Sequence, residues 1–242
     1  MGWRDLFSCA LDYLFPPSCL VCGAQELYQS GYLICKECID SVSFVTHPLC
    51  LRCGRPFLTE SERDHVCGEC LTQKKYLTIV RALCRYEGTV EKMIHQFKYK
   101  QKFAVAPIFK LLLDFYSGED MNFYSYDLFI PVPLHPARLR QRGFNQAVLW
   151  GEMLKKKYNV PLKRMALKRT VGTLPQVTLQ GKTRRENVKN AFKVSDSTLV
   201  NDKAILLLDD VYTTGATMNE CARVLKESGA SRVDGFVIAR AV

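Results

Sequence analysis

Apolar and polar positions follow two different patterns along the chain. From residue 79 onward, short apolar runs alternate with longer stretches in which apolar residues recur at helical spacing. The short runs predict strands at residues 79–86, 127–132, 204–209 and 233–240. The longer stretches predict helices at 89–97, 104–116, 145–158 and 216–227. Alternation with nearly continuous apolar strands predicts an α/β fold whose parallel sheet is covered on both faces.

The first 78 residues lack this alternation and divide into two parts. Residues 1–18 carry apolar side chains on one side of a helix, which predicts an amphipathic docking helix; a membrane-surface anchor is the alternative. Charged residues interrupt any signal-peptide core, and no run of about 18 apolar residues exists, so we expect no transmembrane segment. Three segments are therefore predicted: 1–18, a cysteine-rich module at 19–78, and a main domain at 79–242.

Eight of the 11 cysteines form four Cys-x-x-Cys pairs. Twelve residues separate the first pair from the second, and thirteen separate the third from the fourth, which is the spacing of two four-cysteine zinc sites in series. A segment of about 60 residues with few apolar side chains cannot bury enough surface, and a structural zinc contributes on the order of 10 kcal/mol to folding. The predicted ligands are Cys19, Cys22, Cys35 and Cys38 for one ion, and Cys50, Cys53, Cys67 and Cys70 for the other.

Other interpretations of these pairs are less favoured. A disulfide framework would need a secretory signal, a thioredoxin-like motif is usually a single pair, and iron–sulfur ligation uses different spacings. His65 could replace a thiolate, but an exposed loop histidine is the favoured interpretation because all four cysteines are present. The lone Cys9, Cys84 and Cys221 are expected to be buried thiols.

The formal net charge of +10 belongs to the second part of the chain. Residues 1–78 carry 7 basic and 9 acidic side chains, whereas 79–242 carry 27 basic and 15 acidic ones. Two zinc tetrathiolates would make the first part more acidic still. A positive field over the main domain suits phosphate-bearing partners, either a small phosphorylated substrate or a nucleic acid.

The stretch LLLDDVYTTGATM, residues 206–218, predicts a binding site at the end of a central strand. Asp209 and Asp210 would emerge at the carboxyl end of that strand, where α/β sheets bind ligands. The small and hydroxylated residues 213–217 would turn into the next helix and offer backbone N–H groups to one anion. Carboxylates accept hydrogen bonds from hydroxyls, so the pair suits a neutral diol. Together these features predict a site for a ribose 5-phosphate.

One competing motif is the QGKT at residues 180–183. With the apolar run before Asp209 it could be taken for the phosphate-binding loop and acidic strand of an NTPase. That loop needs glycine at position 176, where Gln176 stands, and it needs a strand before it and a helix after it. Neither flank fits, so an NTPase is disfavoured.

The residue 206–218 stretch resembles the signature of type I phosphoribosyltransferases, which bind 5-phosphoribosyl-1-pyrophosphate (PRPP). Two further blocks, IPVPLHPARLRQRGFNQA and LPQVTLQGKTRRENVKNAF, resemble, together with the paired cysteines, the ComF family of bacterial competence proteins. The resemblance covers nearly the whole chain. It implies the parallel-sheet type I phosphoribosyltransferase fold with a small N-terminal zinc-binding module.

The resemblance also implies roles for individual residues, with Mg²⁺ accompanying PRPP. Asp209 and Asp210 would hold the ribose hydroxyls. The 5-phosphate would be held by Thr213, Thr214, Gly215, Ala216 and Thr217. The loop after IPVPL would match the pyrophosphate loop, with candidate cations Arg138, Arg140 and Arg142. The segment TLQGKTRREN would match the mobile loop that closes over the substrate, with candidates Lys182, Arg184 and Arg185. The candidate catalytic residues are Asp209, Asp210, Arg184 and Arg185.

The biological role implied by the resemblance is natural transformation. A ComF-like protein would handle incoming single-stranded DNA in the cytoplasm, beside a competence helicase or other uptake proteins that could hold it at the membrane. Phe97, Tyr99 and Phe103, among Lys98, Lys100 and Lys102, could stack bases, or they could be core aromatics at a helix end. Residues 155–157, three lysines on a helix, are expected to be a solvated face.

Two alternative functions stay open at this stage. The chain could be a non-catalytic adaptor that senses PRPP or binds single-stranded DNA. It could also be a phosphoribosyltransferase of nucleotide salvage unrelated to competence. The acceptor of a phosphoribosyl group is not indicated, because no aromatic or carboxylate constellation in the sequence identifies a base.

Overall fold

The computed structural model describes residues 16–29, 31–57, 63–99, 103–116, 120–171 and 188–242. Of the predicted docking helix at 1–18, only residues 16–18 belong to this set, and Cys9 lies outside it. The strands are β1 Val80–Arg85, β2 Leu128–Pro131, β3 Leu167–Arg169, β4 Phe192–Val194, β5 Ala204–Tyr212 and β6 Arg232–Arg240. The helices are α1 Lys36–Asp40, α2 Gly68–Thr72, α3 Gly88–Tyr99, α4 Ala106–Asp114, α5 Pro136–Arg142, α6 Gln146–Tyr158 and α7 Ala216–Glu227.

Four of the strands form one parallel sheet in the order β1–β6–β5–β2. Successive side chains of the central strand β5 point to opposite faces, because the side-chain period of a strand is two residues. Leu206 and Leu208 lie in one buried cluster, whereas Ile205 and Leu207 lie in another. Both faces are therefore covered, which confirms the predicted α/β parallel sheet.

Helices cover the two faces unequally. On one side α3, α4 and α6 contribute buried side chains, and Trp150 of α6 stacks on Phe236 of β6 with ring centroids 5.7 Å apart. On the other side α7 packs beside a small antiparallel sheet made of β3 and β4. Among the described residues, no helix combines the length and the apolarity needed to cross a bilayer.

The sequence pattern does not predict helix α5 or the two-stranded β3–β4 sheet. Residues 138–142 were placed in a loop, but they belong to α5, which starts with Pro136 after the N-cap His135 and ends at Gly143 with φ of 77°. None of its seven residues is buried, so hydrophobic periodicity, the main signal for a helix, is missing. Strands β3 and β4 have three residues each, which is too few for a recognisable alternation of apolar and polar side chains.

The cysteine-rich segment packs directly on the sheet. Ile34 and other apolar residues of this segment belong to the same buried cluster as Leu83 of β1 and Phe236 of β6. Backbone hydrogen bonds fasten it to the edge of β1, where Val45 N–H donates to the Leu83 carbonyl at 2.9 Å. The segment and the sheet share one hydrophobic core.

We predict that the Ile34→Ala variant lowers the free energy of unfolding by about 2–5 kcal/mol, because it opens a cavity in that shared core. Ile34 is fully buried. Urea denaturation followed by tryptophan fluorescence and far-ultraviolet circular dichroism measures the change, and both signals should give one coincident transition. Leu71→Ala is the control, since Leu71 is 71% exposed and its truncation should change stability by less than about 0.5 kcal/mol. Separate transitions for the two signals would contradict a shared core.

Candidate functional site

The eight paired cysteines assemble into two clusters, each made of four thiols whose Sγ atoms lie within 4.8 Å of one another. The members are those predicted: Cys19, Cys22, Cys35 and Cys38 in the first cluster, and Cys50, Cys53, Cys67 and Cys70 in the second. Four thiolates at this separation are the donor set that tetrahedral structural zinc requires. The residues therefore fit two structural zinc ions.

Residues next to these clusters behave as the sequence indicated. His65 is exposed and stacks on Phe57 with ring centroids 3.9 Å apart, outside the four-thiol set. Cys84 and Cys221 are buried thiols in the two core clusters. The zinc module and the sheet thus use their cysteines differently, as metal ligands in one and as core side chains in the other.

A cleft of about 700 Å³ opens at the carboxyl ends of β2 and β5. One wall is the end of β5 and the following turn at residues 213–217. The opposite wall comes from α5 and the last turn of α3. This is the position in a parallel sheet where ligands bind, and it gathers residues that are far apart in the sequence.

The Asp209–Asp210 pair lies in this cleft. Asp210 is 7% exposed, and its backbone N–H donates to Asp209 Oδ1 at 2.9 Å. Loss of hydration, followed by the charge of Asp210, raises the pKa of Asp209 to about 7. Below neutral pH, Asp209 is therefore largely protonated, and the two acids lie side by side without two full negative charges.

Lys98 is the counter-ion of this pair. Its Nζ lies 2.8 Å from Asp210 Oδ1, and both side chains are largely buried. Burial alone would lower the pKa of Lys98, but the charge and hydrogen bond of Asp210 raise it above its usual value. The same ammonium lowers the pKa of Asp209 and so opposes the effect of burial there.

The turn at residues 213–217 has the geometry of an anion cradle. Gly215 is the N-cap of α7 with φ of 72°, a backbone conformation that favours glycine. A Cβ on Gly215 would overlap the hydroxyl of Tyr212, so no larger residue fits there. The turn thus presents the first backbone N–H groups of α7 to the cleft, where the helix dipole favours an anion.

Three arginines line the cleft opposite this turn. Arg142 lies over the ring of Tyr99 at 5.1 Å and donates to Gln146 Oε1 at 3.4 Å. Arg169, at the end of β3, is buried, and its pKa is lowered by lost hydration and by the nearby Arg138. With Lys98, the described wall holds four cations against two carboxylates. Such an excess of positive charge suits a ligand with several phosphates.

Sequence reasoning missed Lys98 and Arg169 as parts of this site. Lys98 stands in a lysine-rich stretch that was considered for DNA, and no local signal links it to a carboxylate 112 positions away. Arg169 is the last residue of a three-residue strand with no motif around it. Arg138 and Arg142 do line the cleft, whereas the exposed Arg140 is not part of its described wall.

Other predicted residues fall outside the site or outside the described chain. Phe97 is a core aromatic, whereas Tyr99 and Phe103 are about half exposed. Residues 155–157 are exposed on α6, as expected of a solvated face. The predicted residues that lie outside the described part are Lys100, Lys102, Lys182, Arg184, Arg185 and the competing QGKT motif.

Comparisons with known proteins agree with this architecture. A double zinc ribbon domain matches residues 10–71, and a phosphoribosyl transferase domain matches residues 147–241. The chain is 29% identical to competence protein F of Haemophilus influenzae over 92% of this chain and 96% of that protein. It is 29% identical to the DNA utilization protein YhgH of Escherichia coli O157:H7 over 93% and 97%.

Competence protein ComFC of Bacillus subtilis is a third relative, 28% identical over 92% of this chain and 94% of its own length. These relatives align along nearly the whole molecule and not along one module alone. A double zinc ribbon, a phosphoribosyl transferase domain and competence proteins as full-length relatives confirm that the chain resembles the ComF family along nearly its whole length.

Proposed function

We propose that the cleft binds PRPP together with Mg²⁺, and that this activity serves the handling of incoming single-stranded DNA during natural transformation. The observation that carries the first part is the continuity of β5 into the site. One strand carries both carboxylates, and Gly215, three residues after the last strand residue Tyr212, begins the turn into α7. A diol site and a phosphate site therefore stand side by side at one strand end.

The turn would hold the 5-phosphate of PRPP. Backbone N–H groups at the start of α7 would donate to the phosphate oxygens, and the hydroxyls of Thr213, Thr214 and Thr217 add further donors. Thr214 Oγ1 accepts from Ala216 N–H at 3.4 Å, which fixes that side chain beside the turn. These groups are fixed by the fold and need little rearrangement to meet an anion.

The acid pair would hold the ribose hydroxyls. Ionised carboxylates accept hydrogen bonds from hydroxyls; Lys98 pairs with Asp210, and its charge lowers the pKa of Asp209. The pair also fits Mg²⁺, because magnesium is usually bound through one or two carboxylates together with substrate oxygens. When bound with PRPP, that ion would neutralise charge on the pyrophosphate and assist its departure.

The arginine wall would face the pyrophosphate. Arg138 and Arg142 project from α5, and Arg169 projects from β3, so three guanidinium groups converge from two elements. Fixed cations around a leaving group that gains negative charge lower the barrier to its departure. The role of Lys182, Arg184 and Arg185 in a loop that closes over this site remains a prediction, because these residues lie outside the described part of the chain.

The DNA-handling part of the proposal is supported by the relatives and by charge. Competence and DNA utilization are the roles that the names of the relatives print. Residues 79–242 carry the net positive charge that a nucleic-acid partner requires. Tyr99, which lines the cleft, and Phe103, whose ring packs on Phe144, are about half exposed and could stack bases. A competence helicase or other uptake proteins stay predicted partners.

Titration calorimetry of the zinc-loaded protein with PRPP and Mg²⁺ tests the ligand directly. We expect saturable binding that falls by about 10- to 100-fold in Asp210→Asn, because a hydrogen bond to a charged group contributes about 1.5–3 kcal/mol. Asp114→Asn is the matched control, since Asp114 also pairs with a lysine but lies far from the cleft on α4. No binding by the wild-type protein, or equal loss in both variants, would overturn the assignment.

Pyrophosphate release separates an enzyme from a sensor. In the enzyme case, the wild-type protein releases pyrophosphate from PRPP when an acceptor is supplied, and candidate bases and single-stranded DNA are tested in turn. Binding without release for every acceptor supports the non-catalytic PRPP sensor. If Asp210→Asn releases pyrophosphate at the wild-type rate, the assignment of Asp210 to the site is wrong.

The Gly215→Ala variant tests the cradle. Its Cβ would overlap Tyr212 and would impose a left-handed backbone conformation on alanine, so the turn must change shape. We predict that affinity for ribose 5-phosphate is lost beyond detection by calorimetry. Gly88→Ala is the control, because Gly88 also has positive φ but has open space around its Cβ position. Unchanged affinity in Gly215→Ala would show that the phosphate binds elsewhere.

Binding should depend on pH through Asp209. Below a pKa of about 7 this carboxyl is protonated in the free protein, and a ligand that needs the carboxylate must displace that proton. Affinity for PRPP with Mg²⁺ is therefore expected to rise from pH 5.5 to 7 and to level off above it. Calorimetry in buffers of different ionisation enthalpy should show proton release on binding at pH 6.

Lys98→Met should move this pH dependence upward, because it removes a cation that lowers the pKa of Asp209. Lys157→Met, which removes one of the two lysine partners of Asp114 on the surface, should leave the midpoint unchanged. A midpoint that is the same in wild type and Lys98→Met would contradict the electrostatic account of the acid pair.

A further inference from the structure

Arg240, the last residue of β6, is a buried cation that contacts the second cysteine cluster. It is 2% exposed, its Nη1 donates to the Cys53 carbonyl at 2.6 Å, and its Nη2 donates to Cys53 Sγ at 3.4 Å. Within the part of the chain that the structure describes, no carboxylate forms a salt bridge with it. The acceptors identified for this guanidinium therefore belong to one metal-ligating cysteine.

The charge of a loaded zinc site explains this burial. Four thiolates around one zinc ion carry a formal charge of −2, and a buried cation is destabilising unless an opposite charge lies beside it. Outer-shell hydrogen bonds to ligating groups orient those ligands and tune the metal site. Arg240 is thus placed as the outer-shell partner of the second zinc ion, on the ligand Cys53.

The same guanidinium also contacts the candidate phosphate site. Its central carbon lies 4.8 Å from the ring centroid of Tyr212, and the two residues are register partners in neighbouring strands. The Tyr212 hydroxyl occupies the space beside Gly215 where a Cβ would lie. One chain of contacts therefore runs from Cys53 through Arg240 and Tyr212 to the turn at residues 213–217.

A second contact joins the same two regions. Tyr76, which follows the second cluster, donates its backbone N–H to Asn219 Oδ1 at 2.7 Å. Asn219 in turn donates its N–H to the Gly215 carbonyl at 2.8 Å. The first cluster is placed differently, because Cys19, Cys35 and Cys38 pack in the core on the side of α3 and α4.

We propose that Arg240 is a positioning residue that couples occupancy of the second zinc site to the shape of the phosphate-binding turn. The zinc-bound thiolate of Cys53 would fix the Arg240 guanidinium, the guanidinium would fix the Tyr212 ring that it contacts, and the ring would limit the shape of the turn at Gly215. The first zinc site stabilises the shared core without this connection. The coupling itself does not require PRPP, but the identity of the ligand at the turn rests on the proposed function.

Arg240→Met in the zinc-loaded full chain tests the coupling with two readouts that need no ligand. We expect a chelator to remove one of the two zinc ions faster, because losing an outer-shell partner typically lowers metal affinity by about 10- to 100-fold. Hydrogen exchange of amides 213–217 should accelerate by at least about fivefold, the low end of coupling between sites. Arg240→Lys keeps the charge and should lie between wild type and Arg240→Met in both readouts.

Arg81→Met is the matched control. Arg81 is also a buried arginine that donates to the second cysteine segment, but its acceptors are the carbonyls of Leu51 and Val80, and it lies on β1, which pairs with β6 and not with the strand of Tyr212. Its replacement should leave exchange at residues 213–217 unchanged. If Arg240→Met does not fold, Arg240→Lys compared with Arg81→Lys decides the question by the same readouts.

Two results would overturn the proposal. In the first, Arg240→Met loses one zinc ion faster, but amide exchange at residues 213–217 stays at the wild-type rate. The other is an equal acceleration in the Arg81 variant, which would indicate general loosening. If the exchange coupling holds but the wild-type protein fails to bind PRPP, only the proposed ligand is wrong; if PRPP binds and the coupling is missing, only the role of Arg240 is wrong.

Discussion

Two adjacent carboxylates at a poorly hydrated strand end impose an electrostatic constraint on which the cleft depends. Asp210 and lost hydration both raise the pKa of Asp209, and the fold brings Lys98 of α3 to within 2.8 Å of Asp210. The arginines on α5 and β3 add positive charge around them. A ligand that supplies hydroxyls for the acids and phosphates for the cations would satisfy both halves of this arrangement, which is the reason for proposing a phosphoribosyl donor rather than a simple anion.

The parts that local sequence determines could be predicted. The alternation of apolar runs places the four sheet strands within a few residues of their positions, and paired cysteines at regular spacing identify both four-thiol clusters. The acids and the Gly215 turn follow from one contiguous stretch. The rest depends on contacts between distant residues. Lys98 reaches Asp210 across 112 positions and Arg240 reaches Cys53 across 187, and no periodicity or local motif encodes such pairings.

The zinc module is more than a separate attachment to the sheet. Its first cluster adds apolar side chains to the core that also holds β1 and β6, and its second cluster meets the carboxyl end of β6 through a buried arginine. The turn at residues 213–217, the candidate phosphate site, follows the neighbouring strand β5, and its Gly215 lies against Tyr212. Metal binding, core packing and the shape of the cleft are therefore physically connected, because the same few side chains serve all three.

The most direct test of the central claim is a crystal structure of the zinc-loaded protein with ribose 5-phosphate. The account predicts that the phosphate lies within hydrogen-bonding distance of the amides at residues 213–217, and that Asp209 and Asp210 accept hydrogen bonds from the ribose hydroxyls. A sugar phosphate bound elsewhere, or bound in the cleft with its hydroxyls turned away from both acids, would contradict it.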